Sequence, residues 1–256
     1  MANKPIVAFI ELTCCAGCEC ALLDTNETLL ELLARLDIRD FRLFEEHEKE
    51  PKVKMYDVVF VVGSPSTKEQ VAEIKRLRKK TRVLIAYGGC AIYNSVWGSK
   101  RWRDKEALMR KVYPLPKGID NLDYMGVKEV VPVDFEIPTC PVNANEFVRV
   151  VNDFLIGKIP VIPKRPVCYE CQLAGYECVL QKGQPCLGPV TLGGCGAVCL
   201  KSQVACQACR GPLVGANFDS LWKKIVGLVG AKRAEQILEV FGVKEAFFEQ
   251  FNVKKQ

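Results

Sequence analysis

The chain has 256 residues, of which 49% are apolar, and a formal net charge of +6, which allows one domain of ordinary size and a smaller second one. No apolar run approaches the roughly 20 residues of a membrane helix, and the N-terminus resembles neither a secretory nor a twin-arginine signal. Lysine and arginine are interspersed with acids and form no basic stripe with aromatics, which argues against nucleic-acid binding. We therefore expect a globular protein of the cytoplasm without a membrane span.

The first 156 residues predict strands that alternate with helices. Continuous apolar runs indicate strands covered on both faces, and apolar residues at helical spacing indicate helices between them. Ser66 or Thr67 is the expected cap of the second helix, and residues 97–124 predict an irregular excursion. The predicted strands cover 6–12, 41–44, 56–62, 83–87 and 130–133, and the predicted helices cover 21–36, 68–80 and 143–156. This order is typical of an α/β doubly wound parallel sheet.

Four cysteines follow these predicted strands. Cys15 and Cys18 come after the first strand, Cys90 after the strand 83–87 and Cys140 after the strand 130–133. Because the carboxyl ends of parallel strands share one crevice, these thiols can meet. Cytosolic thiols stay reduced, so 14 cysteines in one chain favour metal binding over disulfides. Four thiolates are the number of ligands that a 4Fe-4S cluster needs.

The composition changes after residue 157. Pro160, Pro163 and Pro166 mark a linker, and the segment 167–209 then contains eight cysteines with almost no helical or strand period. Metal-ligand bonds must replace a hydrophobic core in that segment. Helical patterns return at 221–229, 231–241 and 243–251. The spacing of the eight cysteines also allows two zinc sites, although these would leave the four strand-end cysteines without a matching purpose.

Four cysteine motifs occur together in a highly specific combination. They are Cys15-Ala16-Gly17-Cys18, Gly89-Cys90-Ala91, Pro138-Thr139-Cys140-Pro141 and Cys186-x-Gly-Pro-x-Thr-x3-Cys195. In this combination the chain resembles the small, electron-transferring subunit of nickel-iron hydrogenases. It is similar to the cytoplasmic small subunits of sulfhydrogenases and of methyl-viologen or coenzyme F420 hydrogenases. The resemblance covers residues 6–212 and implies a flavodoxin-like domain, 1–160, followed by a small iron-sulfur domain with C-terminal helices, 161–256.

The resemblance also implies three 4Fe-4S clusters. The proximal cysteines are Cys15, Cys18, Cys90 and Cys140, the distal cysteines are Cys168, Cys171, Cys178 and Cys186, and the medial cysteines are Cys195, Cys199, Cys206 and Cys209. The proximal cluster would lie closest to the nickel-iron centre of a large subunit, so no catalytic residue is expected in this chain. Within a hetero-oligomer the chain would relay electrons between that subunit and a flavin or iron-sulfur partner.

Several positions depart from the pattern of the family. Val62-Gly63 stands where members commonly have Glu-Gly, and Cys14 stands where many respiratory members have glutamate. Cys168 and Cys199 replace a histidine and a proline of respiratory members, which implies four-iron clusters at both C-terminal sites. The missing glutamate at Val62-Gly63 leaves one alternative, a relay subunit whose large partner has lost nickel and iron. A second alternative is a zinc-stapled scaffold. No motif selects the terminal electron acceptor.

Two cysteines, Cys14 and Cys20, are left outside these sets. We expect them to be small buried residues without a role. Glu11 is expected to be a polar strand end, and His47, the only histidine, is expected to be a solvated loop residue.

Overall fold

The computed structural model describes residues 4–41, 52–98, 104–114 and 125–251. The chain divides into two compact units, Met1–Pro160 and Val161–Gln256. In these described ranges no helix is long and apolar enough to cross a membrane. His47 lies outside the described residues.

The first unit contains a five-stranded sheet. Its order is β2-β1-β3-β4-β5, and each neighbouring pair of strands is parallel. The strands are β1 (Ile6–Glu11), β2 (Asp37–Phe41), β3 (Tyr56–Val62), β4 (Thr81–Tyr87) and β5 (Phe135–Ile137). This strand order is that of flavodoxin-like folds, so the predicted α/β fold class is confirmed.

Helices connect these strands. Thr67 caps α3 as expected, because its side chain accepts a hydrogen bond from the Gln70 amide, and Asn143 caps α8 in the same way. The helices of this unit are α1 (Gly17–Leu23), α2 (Glu27–Leu33), α3 (Lys68–Arg78), α4 (Gly88–Tyr93), α5 (Ser95–Gly98), α6 (Lys105–Val112), α7 (Val127–Val130) and α8 (Ala144–Leu155).

Apolar side chains cover both faces of the sheet. On one face Leu84 of β4 packs in a cluster with Ile74 of α3. On the other face the rings of Phe9 and Phe60 stack with centroids 4.8 Å apart, and the Phe147 ring of α8 lies 5.3 Å from that of Phe60. Burial on both faces explains why β3 is a continuous apolar run.

The helix predicted over 21–36 is interrupted. It is replaced by α1 and α2, and Asn26 between them has a φ of 45°, a left-handed value that ends regular helix. The Thr25 hydroxyl donates a hydrogen bond to the Leu22 carbonyl at 2.7 Å. Such local side-chain bonds compete with continued helix.

Two predicted strands are displaced, and the predicted excursion is partly helical. The second strand is β2, which ends at Phe41, whereas the prediction was 41–44, and residues 42–44 lie outside the described part. The strand predicted at 130–133 is wrong, because Val127–Val130 forms a helical turn and the strand follows as β5. Pro132 has no N–H for the sheet, whereas the Asp134 carboxylate accepts a hydrogen bond from the Leu84 amide at 2.7 Å and fixes the start of β5.

Within 97–124 the structure contains α6, and residues 99–103 and 115–124 lie outside the described part.

The second unit begins with short elements and ends with helices. The short elements are α9 (Val167–Leu173), a 3₁₀ turn (Gly188–Val190) and α10 (Val198–Lys201). The helical end consists of α11 (Phe218–Val229), α12 (Ala231–Glu239) and α13 (Lys244–Gln250). There Phe218 packs with Phe247 and Phe251, with ring centroids 5.4 and 4.9 Å away, so the helices have an aromatic core of their own.

Candidate metal centres built from cysteines

The proximal cysteines gather at the carboxyl edge of the sheet. Cys15 lies in the loop after β1, Cys18 in α1, Cys90 in α4 directly after β4, and Cys140 after β5. The pKa of Cys90 is raised to about 12, first by burial and then by the neighbouring thiols of Cys140, Cys18 and Cys15. The structure therefore brings together four thiols from three distant parts of the sequence.

Two glycines allow these thiols to approach the backbone. Gly88 has a φ of +80°, and a Cβ atom placed on it would lie 2.5 Å from the Sγ atom of Cys18. A Cβ atom on Gly89 would lie 3.2 Å from the Cβ atom of Cys140. The Val142 amide donates a hydrogen bond to the Sγ atom of Cys18 at 3.4 Å. Amide donors to sulfur of this kind stabilise thiolate ligands.

The distal cysteines surround one pocket of the second unit. Cys168 and Cys171 belong to α9, Cys178 follows that helix, and Cys186 precedes the 3₁₀ turn. All four line the pocket, and the other lining residues are Val167, Val179, Leu180, Gly188, Pro189 and Leu200. The pKa of Cys168 is raised to about 12 by burial first and then by Cys186, Cys171 and Cys178. These four thiols form a compact set in apolar surroundings.

The medial cysteines lie close enough to one another for their thiols to affect each other's pKa. Burial raises the pKa of Cys195, and the neighbouring thiol of Cys199 adds to that rise. Burial likewise raises the pKa of Cys206, with further contributions from Cys186 and Cys209. The Sγ atom of Cys186 also accepts a hydrogen bond from the Cys206 amide at 3.3 Å. Cys186 thus lies at the border of the distal and medial sets, and the partition of the eight cysteines stays a prediction.

Charged residues are buried beside the medial cysteines. Arg210 is fully buried, at 0% exposure. Burial raises the pKa of Cys195, and the charge of Arg210 lowers that pKa to a smaller extent. The buried Glu170 carboxylate accepts hydrogen bonds from the Gly194 and Gly196 amides at 2.6 and 2.9 Å. The role of Arg210 was not predicted, because nothing in the sequence around Cys209 indicates that the arginine is buried.

The donor chemistry of the three sets fits metal binding. All 14 cysteines lie in the described part of the chain, and no disulfide joins any of them there. Burial disfavours the ionised form of a thiol unless a cation compensates it. Thiolate sets of this kind suit iron-sulfur clusters or zinc. Amide N–H groups directed at Cys18 and Cys186 are the hydrogen bonds that tune iron-sulfur clusters.

The cysteines left over from these sets are not fully buried. Cys20 is exposed and Cys14 is half-buried, so the expectation that both are small buried residues is wrong. The Cys14 thiol donates a hydrogen bond to Glu11 Oε1 at 3.2 Å. Glu19 of α1 lies in the same group, and its pKa is raised to about 7 by burial and then by the charge of Glu11. Glu19 was not predicted as a site residue, although its position between Cys18 and Cys20 is a usable signal.

Comparison with known proteins identifies the family of the chain. The family model described as NADH ubiquinone oxidoreductase, 20 Kd subunit, matches residues 15–154. Sulfhydrogenase 2 subunit delta of Pyrococcus furiosus is 37% identical and aligns over 90% of this chain and 96% of its own length. A vhu F420-non-reducing hydrogenase subunit of Methanococcus voltae is 28% identical over 82% of this chain and 83% of its own length. The chain belongs to this oxidoreductase family and, within it, to the small subunits of nickel-iron hydrogenases.

Solved structures of hydrogenases share the fold. An actinobacterial-type NiFe-hydrogenase from Ralstonia eutropha H16 matches with a TM-score of 0.59 and 14% identity, covering 100% of this chain and 93% of that chain. An NAD+-reducing NiFe-hydrogenase in the H2-reduced state matches with a TM-score of 0.56 and 23% identity, covering 63% of this chain and 96% of that chain. With the relatives above, the predicted class, a subunit of an oxidoreductase acting on hydrogen, is confirmed.

Proposed function

We propose that this chain relays electrons through three 4Fe-4S clusters within a nickel-iron hydrogenase complex. The observation that carries the proposal is the gathering of Cys15, Cys18, Cys90 and Cys140 from three strand ends. The structure describes all four, and no disulfide joins them. A four-thiolate set at a sheet edge has the ligand number of a cubane. The distal cysteines, gathered around one apolar pocket, support the same assignment for the second unit.

The residues have separate roles in this proposal. The unit 1–160 holds the proximal cluster, and the unit 161–256 holds the medial and distal clusters. When bound, each cluster accepts and gives back one electron at a time. The chain fixes the four sulfur atoms of each site, excludes water from the buried ones, and supplies amide hydrogen bonds and the charge of Arg210.

The partners follow from the family. We place the proximal side against a large subunit that carries nickel and iron, and we place a flavin or iron-sulfur subunit at the distal side. The complex is a hetero-oligomer of the cytoplasm. This assignment is supported by relatives named as subunits of a sulfhydrogenase and of a F420-non-reducing hydrogenase.

A second candidate is a relay subunit whose large partner lacks nickel and iron. Val62 at the end of β3 favours it, because this residue stands where family members commonly carry a glutamate. The gene of the large subunit decides between the two candidates. Two cysteine pairs able to hold nickel and iron support the hydrogenase, and their loss supports the second candidate.

Metal analysis of the anaerobically purified chain tests the cluster assignment. We expect a brown protein with roughly twelve irons and twelve acid-labile sulfides per chain, since each cubane contains four of each. A folded, colourless protein with about two zinc ions and negligible iron would identify the zinc-stapled scaffold instead.

A further inference from the structure

A second group of possible metal ligands lies beside the proximal cysteines and uses none of them. The Sγ atom of Cys14 and one carboxylate oxygen each of Glu11 and Glu19 all lie within 4.8 Å of one another. Glu11 ends β1, Cys14 lies in the following loop and Glu19 lies in α1. We call Glu11, Cys14 and Glu19 the acidic triad.

A buried hydroxyl lies near the acidic triad. Tyr87 ends β4 and is 0% exposed, and within the described residues its hydroxyl has no hydrogen-bond partner. Burial raises the pKa of this hydroxyl, and the nearby charges of Glu19, Cys18, Cys14 and Glu11 raise it further, so it lies close to both the triad and the proximal Cys18. An unpartnered buried hydroxyl is costly, and a ligand in the group would remove that cost.

The carboxylate of Glu19 also has a buried oxygen atom without a hydrogen-bond partner. Its side chain is only 2% exposed, and its Oε2 atom has no hydrogen-bond partner among the described residues. The charges that act on Glu19 and Cys14 come from acidic groups. Carboxylates this deeply buried are normally paired with a cation or bound to a metal.

From this arrangement we infer that Glu11, Cys14 and Glu19 bind one divalent transition-metal ion, such as Zn²⁺ or Fe²⁺, and leave a fourth ligand position open. One thiolate and two carboxylates form a mixed set that suits borderline ions rather than Mg²⁺ or Ca²⁺. Three protein ligands with a fourth open position are a common zinc arrangement. Binding displaces the Cys14 proton to solvent, because the thiolate is the form that binds metal.

The site is independent of the proposed cluster assignment, because none of its ligands belongs to the twelve cysteines assigned to clusters. Its charge nevertheless lies next to the proximal set, since Cys14 precedes Cys15 and Glu19 follows Cys18. A divalent cation there would offset the negative charge that two carboxylates and a thiolate add beside the proximal cysteines.

Cobalt binding to the full-length, anaerobically purified and oxidised protein tests this site. The probe is Co²⁺, whose high-spin form is read by electron paramagnetic resonance, with Zn²⁺ as competitor and total iron measured in the same samples. We expect one Co²⁺ per chain that Zn²⁺ displaces, and binding weakened at least about tenfold in Cys14→Ser and in Glu19→Gln. Cys20→Ser is the matched control and should bind Co²⁺ as the wild type does, because Cys20 is an exposed thiol of α1, the helix that carries Glu19.

Two outcomes would overturn the inference. One is the absence of stoichiometric Co²⁺ binding in protein with a full iron content. The other is Co²⁺ binding that Cys14→Ser and Glu19→Gln leave unchanged. If Cys14→Ser loses iron, the double variant Glu11→Gln, Glu19→Gln decides, since it keeps every cysteine. Iron content separates the two proposals, because a protein without clusters contradicts the relay and not the acidic triad.

Discussion

Gly88 leaves room for the Sγ atom of Cys18, which would lie 2.5 Å from a Cβ atom at position 88. The glycine also has a φ of +80°, a conformation in which a side chain costs about 1 kcal/mol or more. The end of β4 and the start of α1 therefore meet at Gly88, where any other residue would combine a strained backbone with a displaced Cys18 Sγ atom.

We expect Gly88→Ala to remove the proximal cluster selectively. The added methyl group would displace Cys18, so iron should fall by roughly four atoms per chain while the remaining clusters persist. Iron and sulfide analysis measures the change. The matched control is Gly157→Ala, because Gly157 has a similar φ of +73° but no atom within 4 Å of the added carbon. Unchanged iron in Gly88→Ala would contradict the role given to this contact.

Cys199→Pro tests how the eight C-terminal cysteines are divided. The change removes one medial thiolate and leaves Cys195, Cys206 and Cys209, so a three-iron cluster should form. Electron paramagnetic resonance of the oxidised variant should then show a new three-iron signal. If the signal is absent and iron content is unchanged, Cys199 is not a ligand and the partition is wrong. The border position of Cys186 makes this experiment necessary.

The buried charge of Arg210 should raise the reduction potential of the medial cluster. A positive charge favours the form with the additional electron, so Arg210→Met should shift the midpoint to a more negative value. A tenfold change in the equilibrium constant corresponds to about 59 mV for one electron, and we expect a shift of that order by redox titration. Arg233→Met is the control, because this arginine of α12 is exposed and donates a hydrogen bond to Gln236 Oε1. An unchanged potential in an Arg210→Met protein with full iron content would refute this role.

Removal of the metal should unfold part of the second unit. Around the cysteines the core consists of thiols and a few aliphatic residues, including Val167, Val179 and Leu200. The helices α11 to α13 instead bury Phe218 and Phe247 at 0–1% exposure. After chelation under reducing conditions, hydrogen exchange should become fast over 167–209 and stay slow in the C-terminal helices. Equal protection of both segments in the metal-free protein would show that the thiol segment folds without metal.

The sequence was sufficient to predict which thiols meet in the first unit. Parallel strands align their carboxyl ends, so the position of Cys15, Cys90 and Cys140 after strands already implied one edge. Although the fifth strand was predicted at the wrong residues, β5 also ends shortly before Cys140, so Cys140 still lies at the same edge of the sheet. Caps such as Thr67 were predictable for the same reason, since they depend on residues close in sequence.

Features set by tertiary contacts could not be predicted in this way. Arg210 is buried by neighbours from other elements, and the Tyr87 hydroxyl lacks a hydrogen-bond partner among the described residues for the same reason. The break at Asn26 depends on a backbone angle that the apolar spacing of 21–36 does not report. Local apolar runs around Pro132 resemble a strand, whereas the hydrogen bonds of Asp134 place the strand later.

The order of electron transfer gives the last prediction. In the proposed relay, electrons pass from the proximal side toward the distal side, so distance from nickel orders the defects. In the whole complex, Cys171→Ser should disturb only the distal cluster, because Cys171 lines the distal pocket. Reduction of the natural acceptor should then fall far more than hydrogen isotope exchange, which needs the metal centre of the large subunit but no long-range export of electrons. Cys18→Ser should impair assembly as well as transfer, because the Cys18 thiol lies among three strand ends. Equal loss of both activities in a fully assembled Cys171→Ser complex would place the distal cysteines next to the catalytic centre instead.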